Sequence, residues 1–143
     1  MNTPPTNSQP FSRRAGLAGA AAFLGLAAAG PLEDMKAANE TNASLASGDL
    51  RGAEERMRRI EDANLRQIWG ANVLARHLEA GGLDDAERLL GVLVGPSLRQ
   101  IWSANIVARA LGGGDCPRAR RLVAGFVEPN LKKIWEANVA TRC

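Results

Sequence analysis

One fourteen-residue phrase, repeated, restricts this chain more than anything else in it. LRQIWGANVLARHL from Leu65 returns as LRQIWSANIVARAL from Leu98 and as LKKIWEANVATRC from Leu131, each copy displaced by 33 residues. A tandem unit of that length is one supersecondary element that buries its apolar face only against the next copy, which points to a helical solenoid. A further step of the same length back reaches Leu32, where LEDMKAANETNASL keeps the leucine, Ala38-Asn39 and Leu45 but has no tryptophan. Divergence there fits a terminal cap. The expectation is three repeats, 32–64, 65–97 and 98–130, closed by a lone capping helix over 131–143. With 143 residues in all, one modest core is the most the chain can bury.

Within each repeat the apolar spacing predicts a first helix, as in Leu65, Ile68, Trp69, Ala71, Val73, Ala75 and Leu78. Gly48, Gly81 and Gly114 share one repeat position and suit a left-handed helix end. A second helix is expected from Ala53, Ala86 and Ala119, with Met57, Ile60, Leu89, Leu90, Leu93, Leu122, Val123 and Phe126 as its buried stripe and with Pro96 and Pro129 to stop it. Asn64, Ser97 and Asn130 then stand where an N-cap belongs, and Gln67 and Gln100 three residues on complete a capping-box pattern. The predicted fold is all-α: a short right-handed α-solenoid of helix-turn-helix repeats.

Gly48-Asp49-Leu50 through Ala53, Leu83-Asp84-Asp85-Ala86, and Gly114-Asp115 through Ala119 resemble the turn and second-helix alanine of the tetratricopeptide-repeat (TPR) superfamily. The first helix departs from that family's Trp, Leu-Gly and Tyr spacing, so the chain is TPR-like, with HEAT-like stacking as the neighbouring architecture. The resemblance covers residues 32–143. It implies binding of a protein or peptide partner, an implication of fold alone.

Residues 1–29 contain Arg13 and Arg14 and no acidic residue, and run from Ser12-Arg13-Arg14 through an Ala/Gly-rich apolar stretch to Ala29. This order reads as an export signal with cleavage at Ala29/Gly30. It resembles a twin-arginine (Tat) signal, with Gly16 where that pattern has Phe. Sec export and an uncleaved anchor are the alternatives. The apolar run from Ala15 to Ala29 is shorter than the roughly 20 residues a spanning helix needs, so no stable transmembrane helix is expected. The implied location is periplasmic or secreted. The chain is +3 overall, of which the two arginines of the signal supply two charges, so the basic pI of 9.4 is no sign of nucleic-acid binding.

His77, Cys116 and Cys143 are the only histidine and cysteines, which excludes a zinc-finger array, a c-type haem and a histidine-rich metal site. No cofactor is expected. Catalysis is not expected either: Cys143 and His77 lie two repeats apart, and the pairs Asp84-Asp85 and Glu54-Glu55 sit near helix starts, where they suit the dipole. An oxidising compartment would favour a Cys116–Cys143 disulfide that pins the final helix, with an intermolecular bridge or two free thiols as alternatives.

Three sets of recurring residues remain. Trp69, Trp102 and Trp135 read as core stacked between repeats or as a ligand platform. Asn72, Asn105 and Asn138, followed by Arg76, Arg109 and Arg142, fall on a helical wheel within the apolar arc of the first helix. They read either as a buried ladder, with the arginines reaching helix ends or acids such as Asp84 and Asp115, or as a groove gripping an extended peptide backbone or a carboxylate. Arg66, Arg99, Lys132 and Lys133 at first-helix starts read as a solvated rim or as receivers of an anionic group. Charge also runs from −3 in residues 32–64 to +3 in 98–130, which makes Arg118, Arg120 and Arg121, with Lys132 and Lys133, the expected landing site for an acidic partner. Two functions stay open: an exported interaction module or scaffold, and a permanent accessory subunit of a larger periplasmic, including redox, complex.

Overall fold

The computed structural model describes residues 25–143, with side-chain surroundings from Gly30 onward. The expected export signal therefore lies outside the described residues, apart from the backbone of its last five positions. Among the described residues the architecture is all-helical, without strands: α1 (Gly25–Ser47), α2 (Leu50–Arg58), α3 (Ala63–Glu79), α4 (Leu83–Leu89), α5 (Pro96–Gly112), α6 (Cys116–Ala124) and α7 (Pro129–Arg142), with a 3-10 turn at Leu90–Val92 after α4. Each helix packs on the next in sequence, and the odd-numbered helices also touch one another in succession.

The odd helices end as the glycines predict. Gly48, Gly81 and Gly114 have φ of 83°, 81° and 79°. At each the glycine N–H donates three residues back, as Gly81 does to Leu78, and the following N–H donates five back, as Gly82 does to His77 at 2.8 Å. This pairing closes a helix only with a left-handed residue, which glycine adopts without a Cβ penalty.

Helix starts differ from expectation. The caps lie two residues earlier than Asn64, Ser97 and Asn130: Asp62 accepts from the Leu65 N–H, Glu128 accepts from the Leu131 N–H, and Gly95 caps α5 without a side chain. Pro96 and Pro129 open α5 and α7 in the first turn instead of stopping the helices before them. Proline is favoured there because its missing N–H belongs to the helix's unpaired donors.

The even helices and the segments just after them turn the expected stripe inward: Met57, Ile60, Leu89 and Leu93 are fully buried, and Val123 and Phe126 nearly so. In the odd helices the buried side is narrower than the wheel implied. Val73, Leu74, His77 and Leu78 of α3 and Ile106, Val107, Ala110 and Leu111 of α5 face the interior. Ile68, placed on that apolar side by the sequence, is instead 56% exposed. The tryptophans are half-buried core: Trp69 and Trp102 pack on the central cluster, Trp69 also against the Ile60 cluster, and Trp135 on the C-terminal one.

Cys116 at the start of α6 and Cys143 after α7 are joined in a disulfide, with Cα atoms 6.0 Å apart. The bond ties down a helix whose only buried residue is Val139.

Candidate docking face

The loops before the odd helices show how each repeat is fixed to the last. Gln67 Oε1 accepts from the N–H groups of Val94 (2.7 Å) and Gly95 (3.0 Å), and Gln100 Oε1 accepts from Val127 (2.9 Å) and Glu128 (3.0 Å). Asp34, one repeat earlier, accepts from Glu61 (2.8 Å) and Asp62 (3.0 Å). These glutamines thus hold the next loop and do not close a capping box within their own helix. Lys133 occupies the same register in α7.

The arginine one position earlier grips the preceding loop. Arg66 donates to the Ile60 carbonyl at 2.7 Å, and Arg99 donates twice to the Leu93 carbonyl, at 3.0 and 2.7 Å. Both guanidinium groups are spent on backbone oxygens, so the basic row at these helix starts reduces to Lys132, half-buried, and Lys133, exposed.

A second internal network occupies the even helices. Arg88 pairs with Glu54, and Arg121 with Glu87. Arg118 is surrounded by Asp84 (2.5 Å), Glu87 (2.7 Å) and Asp115 (2.9 Å). The hydrogen bond from Arg88 holds the Glu54 carboxyl below its usual range, against the opposing effect of burial, and Arg121 does the same to Glu87. The expected landing site for an acidic partner is therefore neutralised from within at Arg118 and Arg121, while Arg120 is exposed.

The opposite side of the molecule carries the unspent groups. Asn72, Asn105 and Asn138 are exposed, not inside the apolar arc, and Asn39 joins them in the first copy. The cause is geometric: α3 buries residues 70, 73, 74 and 77, and Asn72 lies about 150° around the helix from the centre of that arc. None of the four side-chain amides has a hydrogen-bond partner among the described residues. One turn before each lies an exposed apolar residue: Met35 (55%), Ile68 (56%), Ile101 (56%) and Ile134 (58%). One turn after each of the last three asparagines lies Arg76, Arg109 or Arg142. Arg109 uses one nitrogen to reach the Leu78 carbonyl, a helix end, at 2.8 Å, and Arg76 is 3.5 Å from Glu79, so neither arginine pairs with Asp84 or Asp115.

The isoleucine row escaped the sequence reading because isoleucine at helical spacing reads as core. The signal that could have found it is the coincidence of Ile68, Ile101 and Ile134 in register with the asparagines, since one helix cannot bury both that side and the side of Val73 and Leu74 in a single stack. Among the described residues no group of acidic, histidine or cysteine side chains is arranged to hold a metal ion, and no helix is long and apolar enough to cross a membrane. Comparison with protein-family models, with curated proteins and with solved structures found no match to this chain.

Proposed function

We infer that this chain is an exported interaction module: a TPR/HEAT-like α-solenoid that docks a protein or peptide across the face formed by α1, α3, α5 and α7. The observation that carries this reading is the row of exposed apolar residues at 55–58% exposure, repeated once per odd helix and flanked by asparagines without partners. Scattered single apolar residues on a surface need no explanation, but a contiguous, ordered row marks a binding face. Curvature adds support. The odd helices touch one another in succession while the even ones have no close backbone contact and are spanned by side-chain ion pairs such as Glu54–Arg88, so the docking face lies on the inner, closely spaced side. Export is supported by the twin-arginine segment, by the disulfide, and by Pro31, which suits the first turn of a helix beginning after cleavage at Ala29/Gly30.

The test is capture from a periplasmic extract with the wild-type chain and with an Ile68→Asp/Ile101→Asp variant of unchanged circular dichroism. Loss of the captured partner in the variant supports the docking face, and equal capture overturns it. A wild-type partner that resists high salt and is recovered in fixed stoichiometry would favour a permanent accessory subunit using the same face.

A further inference from the structure

We propose that the occupant of this face is an extended acidic segment in polyproline II conformation, with an apolar side chain at every third residue. The proposal rests on the docking reading above and adds the chemistry of the partner.

Three features of the face fix that chemistry. The first is its layout. Each odd helix presents, at successive turns, an apolar residue, an asparagine and, in the last three, an arginine, as in Ile101, Asn105 and Arg109. Four residues of helix rise about 6 Å. Across the four helices this makes parallel rows, with the asparagines midway and about 6 Å from the row on either side. A chain lying along the middle row meets an amide at each helix, and an amide both donates and accepts, as exposed backbone requires. One edge of that chain faces apolar side chains and the other faces guanidinium groups.

The second feature is pitch. Packed helices have axes about 8–10 Å apart, and the odd helices touch in succession. Polyproline II returns a side chain to the same side every third residue, about 9.3 Å on, and leaves its own N–H and C=O groups unpaired. A β-strand returns one every second residue, about 6.8 Å on, or every fourth, about 13.6 Å on, and neither matches the rungs.

The third feature is charge. Arg76, Arg109 and Arg142 lie on this side, Arg76 beside Glu79, whereas the groove between Met35 and Ile68 at the N-terminal end is lined by the acids Asp34, Glu61 and Asp62. Cationic excess is therefore concentrated on α5 and α7, and carboxylates on the partner are complementary to it.

The experiment uses fluorescence anisotropy with the purified chain and three labelled peptides of about four polyproline turns, about 12 residues each. The first is proline-rich, with leucine at every third position and a glutamate beside each. The second has the same composition with leucine at alternate positions, and the third replaces glutamate by lysine. The expected result is binding of the first at least about tenfold tighter than either comparator, equivalent to about 1.4 kcal/mol, and weakened by salt. Binding should also fall about tenfold in Asn105→Ala and in Arg109→Gln, while Lys133→Ala, at a surface position off the face, binds as wild type. Equal binding of the alternate-spaced peptide overturns the polyproline pitch. Equal binding of the basic peptide overturns the acidic character. If no peptide binds, the inference fails as a whole, and the docking reading is judged separately by the Ile68→Asp/Ile101→Asp capture.

Discussion

The even-numbered and odd-numbered helices grow from the same repeat, yet they solve opposite problems. On α2, α4 and α6 the charges close on one another: Glu54 with Arg88, Glu87 with Arg121, and Asp84, Glu87 and Asp115 around Arg118. On α1, α3, α5 and α7 an apolar row and an asparagine row are left facing solvent. A set of polar groups that satisfies itself stabilises and specifies the stack. A set held in register but left unsatisfied is available to something else. The contrast says where to look for a partner and, equally, that the most basic segment of the chain is a poor place to look.

The sharpest way to break that contrast is within one helix. Ile106 of α5 is fully buried and Ile101, five residues earlier, is 56% exposed. Ile106→Ala should lower unfolding stability by about 3 kcal/mol, within the range for deleting a buried isoleucine side chain. Ile101→Ala should cost about 0.5 kcal/mol or less. Urea denaturation of the two variants checks this, and similar losses would mean that the exposed row is structural after all.

The disulfide tests how the last rung of the proposed docking face is held. Ile134, Asn138 and Arg142 all lie on α7, which is buried only at Val139 and tethered by the Cys116–Cys143 bond across 27 residues of sequence. In the chain-entropy view a loop of this size is worth about 3.5 kcal/mol. Cys143→Ser, or reduction of the wild type, should lower thermal stability by that order and make α7 amides exchange first in hydrogen-exchange measurements. Thiols that react with an alkylating agent before reduction would show the bond to be absent.

Loop fixation gives a smaller and more local effect. Gln67→Ala leaves the Val94 and Gly95 N–H groups without their acceptor and should cost about 1–2 kcal/mol. Lys133→Ala, in the same register but without a hydrogen bond to any described loop, should be within about 0.5 kcal/mol of wild type. The pair of chemical denaturation curves decides whether the register, and not merely the residue, carries the role.

How much of this could be read from the letters follows from the range of each interaction. The repeat, the helix pairs and the glycine ends are local and periodic, so LRQIW and Gly48, Gly81 and Gly114 disclose them directly. Asn64, Ser97 and Asn130 satisfy a local pattern, while Asp62, Gly95 and Glu128 win because the held loop, and Pro96 and Pro129 in α5 and α7, fix where each helix begins. The role of Gln67 and Gln100 is hidden from a local pattern because their partners lie 27 and 28 residues away, in the next repeat. A helical wheel puts the asparagines inside because the apolar residues of an odd helix cover two sides, one buried and one exposed, and the wheel merges the two into one broad arc. Nothing local distinguishes Ile101 from Ile106; only packing against neighbouring helices does.

Acid should act on the closed side of the molecule before the open one. Glu54 and Glu87 have folded-state pKa values lowered from the ordinary 4.5, first by the hydrogen bonds from Arg88 and Arg121. With the folded value below the unfolded one, the unfolded chain binds more protons in this range, so stability rises with pH through it. The contribution is fully present above about pH 4.5, where both states are ionised, and is lost as pH falls below that toward the folded values. The proposed docking face carries only the looser Arg76–Glu79 contact at 3.5 Å, and its asparagines and isoleucines do not titrate. Between pH 6 and pH 4 the wild type should therefore begin to lose thermal stability at the lower end, and Glu87→Gln should flatten that slope while lowering stability slightly at neutral pH. A slope unchanged in Glu87→Gln would mean that the arginines on the even helices find other acceptors, and that this side is less tightly closed than the distances suggest.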